Sequence, residues 1–175
     1  MKVLRYSAPK KAGIIEVDTP KPEGNQILSK SLYCSISAGT EMGFYRGTAP
    51  HLHSEIEPGW FFKENPNTIT YPMQSNEEGV WWMGYPGVSE VIEVGPDVNT
   101  IKPGDKIFAQ TGHKTHQLLA ENDVNKLPDH INLEHATLTY LLDITFNGIL
   151  DSGINLMDNV AVFGLGTLGQ LLVQL

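Results

Sequence analysis

The sequence predicts a mainly β domain, a connecting helix, and then the opening unit of an α/β domain of the doubly wound kind. Three observations carry this. Short apolar segments separated by Gly- and Pro-containing turns recur from Met1 to Leu127, the pattern of a small barrel-like all-β domain. Pro128 and Asp129 end that pattern, and a stretch with apolar residues at helical spacing follows. The closing stretch, Asn159 to Leu175, reads as a buried strand, a three-glycine turn and the first turns of a helix. The expected divisions are 1–128, 129–157 and 158–175.

Taken in order, Met1–Tyr6 and Gly13–Val17 read as short strands around a Pro/Lys/Gly turn, and Thr19–Asn25 as a turn-rich connector. Gln26–Ile36 is a longer strand. Cys34–Glu41 leaves it into a loop and a short helix, with small and hydroxyl residues gathered as they would be around a pocket. His51 to Trp82 has prolines at 58, 66 and 72, no sustained period, and rings at Trp60, Phe61, Phe62, Tyr71, Trp81 and Trp82. Either an ordered, pocket-forming excursion or a small satellite core accounts for so many rings. Val88–Val94, Ile101–Phe108, Gln117–Ala120 and Asn125–Leu127 resume the β pattern. Asn132 is placed to cap a helix from Leu133 to about Leu150, with Leu138, Leu141, Leu142, Thr145 and Ile149 near one face. Gly153 is placed to stop it.

In the closing stretch, Val160-Ala-Val-Phe163 is the kind of continuous apolar run that suits a parallel strand covered on both faces. Gly164, Gly166 and Gly169 follow at G-x-G-x-x-G spacing. The first allows a tight turn, the second lets a pyrophosphate approach the backbone, and the third lets helix and strand pack closely. Glycines alone also fit a structural turn; a strand before and an apolar helix after favour dinucleotide binding through Gly164, Leu165, Gly166, Thr167, Leu168 and Gly169. The acidic residue that would read the adenosine ribose is expected about 20 residues beyond the glycines, past Leu175, so NAD and NADP are not distinguished. A lone strand and part of a helix cannot bury their own apolar faces, so Val160–Leu175 is expected to be marginally held.

Charge and composition narrow the function. A formal charge of −8 opposes nucleic acid and a polybasic membrane anchor. No apolar run reaches the ~20 residues of a bilayer span, and Met1 opens a strand rather than a signal peptide. With Cys34 as the one cysteine, an intrachain disulfide and a Cys-rich zinc site are excluded, and a reducing, cytoplasmic setting is expected.

An ordered set of segments resembles the medium-chain dehydrogenase/reductase superfamily, the alcohol-dehydrogenase-like proteins. The segments are Pro20–Glu23, Val91-Ile-Glu-Val-Gly95, Val98–Phe108 with Lys102-Pro-Gly-Asp-Lys106, Lys126-Leu-Pro128, the helix after Asn132 and the glycine turn. The resemblance spans essentially the whole chain. It implies a GroES-like barrel domain followed by the truncated start of a Rossmann domain, and hydride transfer between NAD or NADP and a small alcohol, carbonyl or alkene. A homo-oligomer, dimer or tetramer, is implied as well.

Departures from the family pattern fall on its zinc ligands. The ligand cysteine corresponds to Ser37, with Cys34 at an earlier, non-ligand position; Gly-His-Glu becomes Gly84-Tyr-Pro86; the acidic ligand corresponds to about Tyr140. Catalytic zinc takes three protein ligands of Cys, His or carboxylate type, so no catalytic zinc of the family kind is expected. Ile36–Glu41 with Gly84-Tyr-Pro86 resembles a zinc-less subset that includes bacteriochlorophyllide a dehydrogenases.

Without zinc, a tyrosine can serve as acid and a hydroxyl as relay, which makes Tyr85, Ser37 and Tyr140 the candidate catalytic residues. Competing readings are a pocket-lining ring for Tyr85, a packing ring for Tyr140, and a buried backbone partner for Ser37. Thr145 matches a threonine that the family places near the nicotinamide. His113 and His116 read as surface or packing residues, His51 and His53 as part of a solvated loop, and Cys34 as a small strand residue with nothing basic nearby in sequence. The reading that competes with an oxidoreductase is a non-catalytic binding or structural protein that keeps the fold.

Overall fold

A computed structural model describes residues 1–57, 61–64, 70–74 and 83–175. In chain order the elements are β1 (Lys2–Ala8), β2 (Lys11–Glu16), β3 (Gln26–Cys34), α1 (Thr40–Arg46), β4 (Ser54–Glu57), β5 (Phe61–Glu64), β6 (Met73–Gln74) and β7 (Gly87–Val94). Then come β8 (Lys106–Ala109), β9 (His116–Ala120), β10 (Asn125–Lys126), α2 (Leu133–Ala136), α3 (Thr139–Ser152) and α4 (Thr167–Gln174).

The strands form antiparallel sheets. Five are ordered β10-β8-β7-β3-β9, three β2-β1-β6, and β4 pairs with β5. β3 lies between β7 and β9, with Ser29 opposite both Val91 and Gln117. Inward-facing Ile27, Val91 and Ile107, with Ile101 from the turn before β8, make one core; Val98, Leu119 and Val124 pack on it. Polar groups buried beside them are matched: Ser89 donates its hydroxyl to Ser29 at 2.9 Å, and the Gln117 amide donates to Ser31 Oγ and to the Gly112 carbonyl, each at 2.9 Å. Buried polar atoms satisfied in this way fix the register instead of destabilising the core.

A second core gathers Tyr6, Phe44, Ala49, Leu52, Met73 and Met83. The described part of the aromatic 51–82 stretch contributes here: the Tyr71 hydroxyl donates to the Phe44 carbonyl, and Met73 is buried. Trp60, Trp81 and Trp82 lie outside the described residues. His53 has a local partner, its Nε2 lying 3.1 Å from the Gly47 carbonyl.

Close backbone approach accounts for one glycine at the end of β7. A Cβ on Gly95 would lie 2.3 Å from the Gly24 carbonyl oxygen and 3.0 Å from Glu23 backbone atoms. The contact binds the Glu23–Gln26 turn to the sheet, with Gly95 N–H donating to the Gln26 carbonyl at 2.8 Å and Asp97 N–H to Gly24 at 2.9 Å. Gly95→Ala is expected to destabilise the β domain by about 2 kcal/mol through overpacking. A shift of the urea midpoint at unchanged slope is the check.

Two expectations require correction. The helix after Asn132 is not continuous: α2 ends at Ala136 and α3 begins at Thr139. Hydroxyls explain the break, since Thr137 and Thr139 donate to the Glu134 and Ala136 carbonyls at 2.7 and 2.8 Å and so compete with helical N–H groups. The flanking signals hold. Asn132 Oδ1 accepts from the Glu134 and His135 N–H groups at 2.9 and 3.0 Å, and Gly153 ends α3 in the left-handed region at φ 70°. The second correction is Val160–Phe163, which carries no strand assignment. A strand is defined by its hydrogen-bonded neighbour, and among the described residues none lies beside this segment. Phe163 is 96% exposed.

Candidate active site

A cleft of about 980 Å³ lies between the β domain and the C-terminal elements. The 35–39 loop after β3 and Tyr85, just before β7, form one side; Leu141, Thr145 and Ile149 of α3, the glycine turn and α4 form the other. Chain segments remote in sequence therefore bring Ser37, Tyr85, Thr145, Gly164, Gly166, Thr167, Leu168 and Gly169 to one space. Leu165, 66% exposed, and Tyr140, 42% exposed, do not line it.

Ser37 is held by its neighbours. Its N–H donates to Glu41 Oε2 at 2.6 Å, and its Oγ accepts from the Thr40 N–H at 3.3 Å. Tyr85 is fixed at both ends. Its carbonyl accepts the Thr111 hydroxyl at 2.9 Å, and its ring meets Tyr140 edge-to-face with centroids 5.5 Å apart. Burial pushes the Tyr85 phenol above its ordinary range, and the neighbouring Tyr140 and Glu41 push it the same way. At neutral pH it is therefore a hydrogen-bond donor and not a base. Thr145 is buried and donates to the carbonyls of Leu141 and Leu142 in its own helix, at 3.1 and 2.8 Å.

The glycine turn has the shape a dinucleotide needs. Gly164 adopts φ +96°, where side chains are strained. A Cβ on Gly169 would lie 1.8 Å from the Gly164 carbonyl oxygen, so only glycine lets α4 close on the turn. At Gly166 no atom of the described residues lies within 4 Å of the Cβ position, leaving open space beside the backbone. Gly166 immediately precedes α4, whose free N–H groups form an anion-binding end. These features fit a bound pyrophosphate.

Next to Ser37 lies a constellation that the sequence did not reveal. Glu41, only 2% exposed, reaches the His113 Nε2 in a short contact, while His113 Nδ1 stands 3.4 Å from Cys34 Sγ. His113 is placed by the sheet: its carbonyl accepts from the Leu4 N–H at 2.9 Å, and its N–H donates to the Met83 carbonyl at 3.2 Å. Burial alone would lower the imidazole pKa, but hydrogen bonds to Cys34 and Glu41 and the Glu41 charge outweigh it and hold the group at about 9. Cys34 is the strand residue expected of it, at the end of β3, and His113 is packed; the contacts of His113 with Cys34 and Glu41 were not expected. His116 has a separate partner, Thr115 Oγ1 at 3.1 Å.

Zinc, which the resemblance brings to mind, does not fit these residues. Cys34 and Glu41 engage opposite nitrogens of one imidazole, so the three cannot converge on a single ion. Among the described residues no group of three His, Cys, Asp or Glu could hold a metal. No described helix is long and apolar enough to cross a membrane.

The fold resembles that of about half of several solved dehydrogenases. An alcohol dehydrogenase from Escherichia coli CFT073, solved with NADH, superposes with a TM-score of 0.74 at 17% identity, covering 99% of this chain and 52% of that one. In sequence, the chain is 25% identical over 179 residues to D-guloside 3-dehydrogenase of Escherichia coli K12, covering 100% of the chain and 50% of the relative. It is also 25% identical over 201 residues to (R,R)-butanediol dehydrogenase of Bacillus subtilis, covering 99% and 54%. The chain spans about half the length of the curated relatives it matches. No protein-family model matches it. Both of these relatives are named as dehydrogenases.

Proposed function

We propose that this chain supplies the substrate-binding GroES-like domain and the first pyrophosphate-binding turn of a nicotinamide-dependent oxidoreductase. The reaction is hydride transfer between NAD or NADP and a small alcohol, carbonyl or alkene, without zinc. The observation that carries this is the shared cleft, with Ser37 and Tyr85 facing the glycine turn and Thr145. Exposed apolar residues on α3, including Leu142, Phe146 and Leu150, are consistent with assembly as a dimer or tetramer.

The nicotinamide, when bound, supplies or accepts the hydride. The chain's own groups handle the oxygen. A neutral Tyr85 phenol donates a hydrogen bond to a carbonyl oxygen and gives up its proton as negative charge develops there. The Ser37 N–H is taken up by Glu41, leaving the hydroxyl to complete that contact. Thr145 Oγ1 donates inward, so its remaining lone pair can only accept from a ligand.

Fluorescence titration with NADH and NADPH tests the cofactor, and no binding of either at millimolar concentration rejects the proposal. Tyr85→Phe removes the proton donor and keeps the ring, so kcat for carbonyl reduction is expected to fall by about 100-fold with KM little changed. A variant rate equal to that of the unaltered protein excludes Tyr85 as the acid.

A further inference from the structure

We infer that Cys34 is a nucleophilic modification site, activated by the His113–Glu41 pair, whose chemical partner is a low-molecular-weight disulfide. The inference stands apart from the proposed hydride transfer, which uses none of these three side chains at the reacting atoms.

The geometry is that of a sulfur nucleophile beside a cationic imidazole, itself oriented by a third group. Cys34 ends β3, His113 precedes β9 and Glu41 opens α1, so three separate elements converge on one imidazole. Cys34 is an exposed residue, whereas Glu41 behind the imidazole is buried. Opposite Cys34 in the sheet is Gly87, which has no side chain to cover it. A Cβ there would lie 3.3 Å from Cys34 Cβ and 2.7 Å from Thr111 Oγ1. Glu41 is anchored independently by the Ser37 N–H, which keeps the imidazole directed at the sulfur. A protonated imidazole at 3.4 Å stabilises the negative charge that sulfur carries as it attacks.

The step is thiol–disulfide exchange. Cys34 sulfur attacks one sulfur of the small disulfide, a new S–S bond forms and the reagent's S–S bond breaks. The departing sulfur leaves as a thiolate and takes up the proton that Cys34 releases to solvent. Cys34 is oxidised, and the disulfide yields one reduced thiol. Cys34 is the one cysteine of these 175 residues, so on this chain the test reads a single adduct. The adduct sits one residue from Ser35, which lines the cleft.

The test is the second-order rate of mixed-disulfide formation with glutathione disulfide near neutral pH, followed by intact mass. The folded chain is compared with the same chain in urea, which supplies the reference for an unassisted thiol. The folded chain is expected to react about tenfold faster, and His113→Gln to bring the rate within about twofold of the unfolded reference. A folded rate at or below the unfolded one overturns the inference without any variant. So does a folded His113→Gln protein that reacts as fast as the unaltered chain.

Discussion

Replacing Glu41 with alanine is expected to lower stability by about 3 kcal/mol, because removing one partner of a buried ion pair leaves the other uncompensated. For a chain of this length that is a fall in Tm of roughly 6–12 °C. The loss has two parts. His113 keeps its burial but loses its carboxylate, and the Ser37 N–H loses its acceptor. The same pair sets a pH dependence with a definite sign. The folded pKa of His113, about 9, is above the ordinary value of 6.5. Its contribution is therefore fully present below about pH 6.5 and lost as pH rises through about 9. The groups that face the pair are Cys34 at the end of β3, Tyr6 on β1 and Tyr85. Both phenols are pushed upward by burial and by Glu41, so they stay neutral across this window. Urea midpoints measured from about pH 6 to about pH 9.5 should fall in the parent protein. They should fall much less in His113→Gln, and an equal fall in both would place the titration elsewhere.

The second large effect is expected at Gly166. Gly166→Leu should weaken NADH and NADPH binding by about 100-fold, or ~2.7 kcal/mol, while leaving the thermal midpoint nearly unchanged. The reason is geometric: the Cβ direction is empty among the described residues, so a side chain there costs the fold little and occupies the space a pyrophosphate requires. Gly169→Ala differs, because its Cβ would collide with the Gly164 carbonyl. It should disturb the turn as well as binding. Fluorescence titration beside thermal melts separates the two, and unaltered affinity in Gly166→Leu would show that the cofactor does not bind at this turn.

Local signals in the sequence were enough for most elements, because the residues that set them act on their own neighbours. Asn132 caps the N–H groups of Glu134 and His135, and Gly153 takes the left-handed conformation that ends α3. Alternating apolar residues mark the strands of the central sheet, and the glycine spacing marks the turn at Gly164. The break between α2 and α3 is local, set by the Thr137 and Thr139 hydroxyls, but at the closing stretch a non-local partner decides. Val160–Phe163 has the composition of a buried strand, but backbone pairing comes from another segment, and no described residues supply it.

The candidate site divides along the same line. Ser37, Tyr85, Thr145 and the glycines could be picked out from short motifs, and the fold brings them to one cleft. Glu41, His113 and Cys34 could not. Glu41 and His113 are 72 positions apart and Cys34 and His113 are 79 apart, so no spacing rule connects them. The sequence alone determined most of the element types and the turn chemistry, because capping, periodicity and glycine geometry act within a few residues. Only the tertiary structure placed a buried carboxylate behind an imidazole and an exposed sulfur in front of it. Their pairing depends on β1, β3 and α1 being packed together, and on a low-dielectric surrounding that exists only once they are.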